Sequence, residues 1–333
     1  MKTLYLFVIA MMSLHFYTYG EALRVNNQFE TDPTQRLFSS IQEAHDAATP
    51  GDTLMIEGSP LEYESVSIEK RLVIIGTGYF LTENSQTNAN PLTSTVRQIR
   101  LLPGSEGTFL IGLSFSPGYT TYTPYIETSD IVIMRCYITS SIQFVGNLQN
   151  IKILQNYFDG GTIAVGYSTY TFSDVELINN IIRNNVSISP SNQRIFAKVD
   201  HNIFLGNVIL RTSTFRNNIL ASSTAQVDID SQNIQNNLSL GAQLSGAGNQ
   251  TYNDVQLFMG VEGNSTDGQY QLKPDSPYLK AGLEGIEPGI FGGSTPYVLS
   301  GLPPIPVIYE FAAEGFGTQQ HGISIRIKAK TNL

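Results

Sequence analysis

The chain of 333 residues contains no tryptophan and a single cysteine, Cys136. Because there is no second thiol, an internal disulfide is excluded. Only 14% of the residues are charged, and 28 acidic residues face 19 basic ones. This acidic balance argues against nucleic acid and anionic membranes as partners. Asn, Ser, Thr, Gln and Gly are abundant instead, a composition that favours short strands and tight turns over helices.

Long apolar runs are also missing after residue 20, where no stretch reaches the roughly 18 residues that a membrane-spanning helix needs. The first twenty residues, MKTLYLFVIAMMSLHFYTYG, have a lysine at position 2, an apolar stretch from Leu4 to Met12 and a small residue at the end. This layout predicts a signal peptide over residues 1–20, cleaved after Gly20 or Ala22. We therefore expect a secreted protein, periplasmic or extracellular, that is monomeric and not inserted into a membrane.

One local pattern returns between residues 109 and 240. Segments such as IVIMRCYIT, IKILQNYFD and VELINNIIR align on one column in which asparagine predominates. From Cys136 onwards the members are 16 to 24 residues apart, and an imprecise period near 20 indicates a stacked solenoid. The column consists of Cys136, Asn156, Asn180, Asn202, Asn218 and Asn237, with Gly112 as an earlier member.

The residues around this column alternate. Three positions before it every copy is apolar, from Phe109 to Ile234, and two positions after it Ser239 is the one polar exception. The position directly before the column is polar in the later copies, which gives the period of two that is typical of a strand. Asparagine tolerates a left-handed backbone, and its amide can bond to the copies above and below. The column therefore predicts an internal asparagine ladder, in which Cys136 replaces one rung.

A short helix is predicted ahead of the repeats. Ser40 and Glu43 have the spacing of a capping box, and Phe38, Ile41 and Ala44 fall on one face, suited to closing the apolar end of the stack. With the Gly-Asp-Thr and strands that follow, residues 39–78 resemble the entry region of the pectin-lyase-like superfamily. The segments YQLKPDSPYLKAG and GIFGGSTPY resemble the closing coil of secreted members. The resemblance covers roughly residues 36–298 and implies an all-β, right-handed parallel β-helix.

Together, the N-terminal layout and this resemblance predict three parts of the chain. Residues 1–20 form the signal peptide, and residues 21–298 form the β-helix domain with its N-terminal capping helix. In residues 299–333, the segment GLPPIPVIYE is a proline-rich linker that leads to a final strand.

The segment HGISIRIK, residues 321–328, resembles by its letters two motifs of the polygalacturonase family. That family holds them on separate coils, beside aspartates from Asn-Thr-Asp and Asp-Asp motifs that this chain lacks. Inverting hydrolysis needs two carboxylates about 6.5–9.5 Å apart. Here Ile323, Ile325 and Ile327 alternate with polar residues, which predicts a half-buried strand with a basic face and no active site.

The segment KVDHNIF, residues 198–204, resembles a pectate lyase segment whose aspartate binds calcium. Arg211 and Arg216 have the spacing of that family's Arg-x-Pro-x-x-Arg, although Ser213 stands where the proline should be. The resemblance makes Asp200, Arg211 and Arg216 the candidate catalytic residues, and calcium the cofactor if the protein is a lyase. The coil pattern explains the same segment without any metal, since Asp200 lies between an inward residue and the ladder and faces out. No other metal site or cofactor is indicated.

Two tyrosine-rich segments, SPGYTTYTPYIE and GYSTYTF, occupy comparable places two coils apart. Since coils stack about 4.8 Å apart, the two loops are expected within roughly 10 Å of each other. A tyrosine ring offers a flat apolar face with a polar tip, which suits stacking on a sugar ring. The alternative is that the rings cover coil edges and pack on one another. The predicted ligand-binding residues are Tyr119, Tyr122, Tyr125, Tyr167 and Tyr170.

The middle of the chain is locally basic, with seven basic and four acidic residues between Ile131 and Leu220. A basic, tyrosine-lined flank would suit an acidic polysaccharide. The sequence thus favours a noncatalytic protein that binds polysaccharide or has a surface-structural role. The alternative is a diverged polysaccharide lyase or glycoside hydrolase acting on an acidic, pectin-like polysaccharide.

Overall fold

The computed structural model describes residues 20–115, 122–188, 193–313, 315–316 and 322–331. Within them the chain forms a parallel β-solenoid of about eight turns, with one short α-helix and a C-terminal pair of antiparallel strands. The prediction of an all-β parallel β-helix is therefore confirmed. The predicted signal peptide lies outside the described residues except for Gly20.

The strands are numbered β1 to β30 along the chain, and α1 is Ile41–Ala47. The first sheet contains β1 (Ala22–Val25), β2 (Leu37–Phe38), β3 (Thr53–Ile56), β5 (Val73–Ile75), β8 (Phe109–Ile111), β11 (Ile131–Met134), β14 (Leu148–Leu154), β17 (Phe172–Ile178), β20 (Arg194–Asp200), β23 (Phe215–Arg216) and β26 (Ile234–Gln235).

The second sheet is built from strands of two residues each. It contains β6 (Thr95–Val96), β9 (Ser114–Phe115), β12 (Tyr137–Ile138), β15 (Tyr157–Phe158), β18 (Ile181–Ile182), β21 (Ile203–Phe204), β24 (Ile219–Leu220), β27 (Leu238–Ser239) and β28 (Gln250–Thr251).

The third sheet supplies the remaining side of each coil. It contains β4 (Val66–Ile68), β7 (Ile99–Leu101), β10 (Tyr122–Ile126), β13 (Ser141–Phe144) and β16 (Ile163–Val165). In later coils the equivalent place is taken by β19 (Val186–Ser187), β22 (Val208–Arg211) and β25 (Val227–Asp230). The C-terminal hairpin is formed by β29 (Val307–Ala313) and β30 (Ile325–Lys330).

Parallel pairing places apolar side chains of successive coils next to one another in the interior. Leu110, Ile133 and Ile153 are register partners on successive strands of the first sheet, and all three are fully buried. The sequence alignment is one residue out of register in the earliest coil. Phe109 pairs with Val132 and is 40% exposed, so it does not occupy the inward position predicted for it.

The asparagine ladder is present as predicted. The backbone N–H of Asn156 donates to Asn180 Oδ1 at 2.9 Å, and its side-chain Nδ2 donates to the same oxygen at 3.0 Å. The same pair of bonds links the following rungs, and Asn249 adds a rung that the repeat did not include. Cys136 does replace a rung, because its N–H donates to Asn156 Oδ1 at 2.9 Å. Burial raises the pKa of the Cys136 thiol to about 12, so it stays protonated and unreactive.

The left-handed backbone lies one position before the ladder, and not on it as the sequence suggested. These residues have φ between 54° and 60°, and Gly112, with φ 65°, belongs to their row, so that Leu113 takes the ladder position in its coil. The row consists of Gly112, Arg135, Gln155, Asn179, His201, Asn217 and Asn236, and is called the left-handed row below.

Helix α1 begins where the capping signal places it. Ser40 Oγ accepts a hydrogen bond from the N–H of Glu43 at 3.2 Å, which forms one half of the capping box. The Glu43 carboxylate does not close the other half, since it accepts from Thr31 Oγ1 at 2.5 Å and Ser39 Oγ at 2.9 Å. Ile41 and Ala44 are buried against the first coils and cover the apolar end of the stack.

Residues 281–302, called the return segment below, do not form the closing coil that the sequence resemblance predicted. They run back along the outside of the solenoid, held at successive points by the left-handed row. Asn236 Nδ2 donates to Ala281 O at 3.3 Å, Asn179 Nδ2 donates to Ile290 O at 2.7 Å, and Arg135 Nη1 donates to Leu302 O at 2.8 Å. The polar position before each ladder residue therefore binds backbone instead of facing solvent.

The second sheet needs this cover because its outer face is apolar. The first residue of each later strand, such as Ile203 or Ile219, packs with Leu257, Ile290 and other residues of the C-terminal part in a second apolar cluster. Gly289, at φ 78°, approaches so closely that a Cβ there would lie 2.6 Å from Ile219 Cδ1. Strands buried on both faces read as pairs of adjacent apolar residues, which is the signal the sequence carries in II, IF and IL.

The C-terminal hairpin contradicts one expectation. Its strand β30 carries Ile325 and Ile327, which are 57% and 54% exposed, so the isoleucines are not half-buried. On the other face, Arg326 and Lys328 pair with Glu310 at 2.7 and 2.6 Å. The basic residues of HGISIRIK thus join a hairpin, and His321 lies outside the described residues.

Candidate functional site

Of the predicted tyrosines, Tyr122 and Tyr125 belong to β10 of the third sheet, and Tyr167 and Tyr170 lie in the loop that follows β16. In the register of β7, β10, β13 and β16, Arg100, Tyr125, Gln143 and Ala164 stand side by side. The next residue of each strand, as in Phe144, points into the core instead. Strand alternation therefore fixes Tyr125 and Gln143 on the outside of the solenoid.

The two tyrosine loops meet in one groove of about 260 Å³, lined by Tyr122, Tyr125, Gln143, Val145, Val165, Gly166, Tyr167 and Tyr170 and called the tyrosine groove below. The expectation that the two loops lie close together is thereby confirmed for four of the five tyrosines. Tyr119 lies outside the described residues.

The rings form two edge-to-face pairs. The ring centroids of Tyr122 and Tyr125 are 6.0 Å apart, and those of Tyr167 and Tyr170 are 5.2 Å apart. Such packing is the alternative that the sequence left open, and it is present within each loop. It does not bury the rings, because Tyr167 remains 68% exposed and the other three are partly exposed. The groove thus presents aromatic surface to solvent.

Two arginines support the tyrosine groove from outside its lining. Arg194 donates through Nε to Tyr170 O at 2.9 Å and through Nη2 to Tyr167 O at 2.8 Å. Arg100 lies 5.8 Å from the ring centre of Tyr125 and donates through Nε to Glu127 Oε1 at 3.0 Å. These bonds hold the loop and the ring in place, so the aromatic surface is preorganised.

A second groove, of about 430 Å³, lies between the outer face of the first sheet and the return segment, and is called the charged groove below. Lys152, Glu176 and Lys198 are register neighbours along its floor. Lys198 pairs with Glu176 at 2.9 Å. Glu284 and Thr295 contribute to the opposite wall. Sequence reasoning missed this groove because its second wall comes from distant residues of the chain.

The structure brings two of the three catalytic candidates together and places the third elsewhere. Asp200 and Arg216 are neighbours in the charged groove and form an ion pair at 2.9 Å. Arg211 belongs to β22, in the separate three-stranded sheet of the later coils, where it pairs with Asp230 at 3.2 Å. Arg211 and Arg216, the two arginines of the lyase-like spacing, therefore lie on different faces of the solenoid.

Asp200 is fixed by its neighbours. One carboxylate oxygen accepts from Thr214 Oγ1 at 3.0 Å and from the N–H of Arg216 at 3.2 Å, and the residue is 7% exposed. It faces outward as predicted but is covered. Its register neighbours are Ile178 and Arg216, which offer no oxygen ligands. In the described part of the chain no group of three or more His, Cys, Asp or Glu residues is placed to hold a metal ion.

His201 lines the charged groove and contacts the return segment. Its Nδ1 lies 3.1 Å from Gly289 O and its Nε2 lies 3.0 Å from Asn217 Nδ2. A carbonyl needs a donor and an amide NH₂ needs an acceptor, so the ring is neutral with its proton on Nδ1. Burial lowers the pKa of His201, which is consistent with this state. These two hydrogen bonds of His201, called the clasp below, help to hold the return segment against the solenoid.

Comparison with protein-family models, with curated protein sequences and with solved structures found no match for this chain. Between residues 20 and 331, in the parts that are described, no helix has the length and apolar character needed to cross a membrane.

Proposed function

We propose that this protein binds polysaccharide outside the cell through the tyrosine groove and cleaves no bond in it. The observation that carries the proposal is the meeting of two preorganised tyrosine pairs on one open face of the solenoid. Solvent-exposed aromatic rings with polar tips suit the flat faces and hydroxyl groups of sugars. Export to the periplasm or the medium, as a monomer, is part of the proposal and is supported by the character of residues 1–20.

We also propose that the chain is a member of the pectin-lyase-like superfamily without that group's catalytic apparatus. The parallel solenoid, the asparagine ladder and the capping helix support this assignment. The separation of Arg211 from Asp200 and Arg216 supports the absence of lyase chemistry at the candidate residues.

The test is affinity electrophoresis of the chain from Glu21 onwards in gels that contain single polysaccharides, combined with analysis of the polysaccharide for new ends. We expect retardation by at least one polysaccharide without new reducing or unsaturated ends. Tyr167→Ala and Tyr122→Ala should each weaken the binding about tenfold or more, as expected for anchor residues of a binding site. The control is Phe29→Ala, which removes another exposed ring elsewhere (57% exposed, against 68% for Tyr167) and should bind normally.

A second candidate function is cleavage of an acidic polysaccharide in the charged groove. The observation in its favour is that the carboxylates of Glu176 and Asp200 lie there together with Lys198 and Arg216. New ends that disappear in an Asp200→Asn variant, with binding unaffected by Tyr167→Ala, would replace the first proposal by this one.

A further inference from the structure

We infer that the ligand of the tyrosine groove is a neutral glycan, and that Gln143 selects it against acidic ones. The inference rests on the proposed function and adds the ligand class to it. Its starting point is the lining of the groove, in which Tyr, Gln, Val and Gly are the residue types present. A ligand carboxylate entering the groove would lose hydration without meeting a charged partner in that lining, and such a loss is costly.

The cations close to the groove are already engaged. The Arg194 guanidinium donates to three carbonyls of the tyrosine loop, including Ser168 O at 2.7 Å. Arg100 pairs with Glu127, so that carboxylate already offsets its charge and would repel an anionic ligand. Of the seven basic residues of the middle section, which suggested an acidic ligand, Arg194 contacts the tyrosine loop, whereas Lys152, Lys198 and Arg216 lie in the charged groove. Lys198 and Arg216 line the charged groove, and each has its own acidic partner.

Gln143 is the polar group in the groove lining that is best placed to read the ligand. Gln143 is 5% exposed and lies between Tyr125 and Ala164 in the register of the third sheet. Its Nε2 donates to Phe144 O at 3.4 Å, close to the limit for a hydrogen bond. Among the described residues its Oε1 has no hydrogen-bond partner. Because Oε1 has no partner and is not fully buried, it is open to solvent or to a ligand.

The chemistry of that amide matches a hydroxyl group. A carboxamide offers both a donor and an acceptor, and a sugar hydroxyl does the same, so the two can exchange bonds in either direction. A carboxylate could accept from Nε2 but offers no donor to Oε1, so it can make one half of this exchange at most. Small neighbours keep the amide within reach of a ligand. A Cβ at Gly166 would lie 3.1 Å from Gln143 Nε2 and 3.3 Å from the Tyr170 ring.

The experiment uses the chain from Glu21 onwards and a panel of immobilised neutral and anionic polysaccharides. It includes one matched pair, fully methyl-esterified polygalacturonan and its de-esterified form, which differ in charge on the same backbone. We expect the protein to bind at least one neutral polysaccharide at least tenfold more tightly than any anionic one, and to prefer the esterified member of the pair. Gln143→Glu keeps the shape and removes the donor, so it should weaken neutral binding about tenfold or more. Gln149→Glu, an exposed position on β14, is the matched control and should bind as wild type.

The outcomes separate the two proposals. Tighter binding to anionic polysaccharides that is lost in Tyr167→Ala would overturn the neutral ligand and leave polysaccharide binding in the groove intact. Neutral binding that Gln143→Glu leaves unchanged, in a variant that unfolds like wild type, would overturn the role of Gln143. Absence of binding to every polysaccharide would refute both the inference and the proposed function.

Discussion

At the scale of the residue, the interior asparagines make bonds that no apolar side chain could replace. Asn202 is fully buried; its Oδ1 accepts from Asn180 N and Nδ2 at 3.0 Å each, and its Nδ2 donates to Leu177 O at 2.7 Å. The ladder could be predicted from sequence because every rung repeats the same local context. The left-handed row could not, because a polar residue at a bend reads as solvent-facing until its distant carbonyl partner is known.

We predict that Asn202→Ala lowers the free energy of unfolding by about 2–6 kcal/mol, because it strands a buried N–H and a buried carbonyl at roughly 1–3 kcal/mol each. The matched control is Asn207→Ala. Asn207 Oδ1 accepts from Gln226 N at 2.8 Å in a similar bond between coils, but at an exposed site where water can substitute. Urea unfolding followed by circular dichroism measures both. Equal losses in the two variants would show that burial does not set the value of the ladder.

At the scale of the element, features that follow the register of the parallel strands could be predicted from the sequence, and features outside that register could not. The tyrosine groove follows from two loops at equal offsets on stacked coils, so its four described tyrosines were predictable. The return segment was not, because its hydrogen-bond partners lie 45 to 167 residues away and follow no repeat. Gln143 was missed for a different reason, since one amide on an outer face carries no signal until its neighbours are known.

We predict that the return segment loosens as the pH falls below about 6.5, the ordinary pKa of histidine. Burial lowers the pKa of His201, so in the window between that lowered value and about 6.5 the unfolded chain binds more protons than the folded one. Stability conferred by the clasp therefore decreases as the pH falls through this window. Protonated Nε2 would face the Asn217 amide donor and push away an amide whose Oδ1 accepts from Leu283 N of the return segment at 2.7 Å, while Nδ1 would still donate to Gly289 O.

Hydrogen exchange of residues 281–302 at pH 7.5 and pH 5, corrected for the intrinsic rate, measures this loosening. We expect exchange several-fold faster at pH 5 in the wild type and a much smaller change in His201→Gln, whose amide does not titrate. Nearby charges act as well. Asp200 favours the protonated ring and Arg216 opposes it, while burial raises the pKa of Glu287, whose protonation makes docking more favourable at low pH. An equal response in His201→Gln would assign the effect to those groups.

At the scale of the whole molecule, two apolar clusters hold the protein together. One fills the solenoid, and the other lies between the second sheet and the C-terminal part of the chain. The resemblance to known β-helices was sufficient to predict the first. The second depends on an outer face that must be covered, and the cover is a segment whose glycines and prolines carry no periodic pattern. The described residues of the C-terminal hairpin belong to neither cluster, although Val307 is buried at its base.

We predict that deleting residues 309–333 leaves the free energy of unfolding within about 1 kcal/mol of the full chain, because exposed side chains contribute little. The deletion keeps Ile308, whose carbonyl accepts from Ala89 N at 2.8 Å and anchors the start of the hairpin. The matched deletion of residues 281–333 should cost at least about 3 kcal/mol, since it uncovers Ile203 and Ile219 at roughly 1.5–3 kcal/mol per side chain. It also leaves the left-handed row without its carbonyl partners. Urea midpoints of the three proteins decide the matter, and similar losses from the two deletions would mean that the hairpin, and not the return segment, completes the fold.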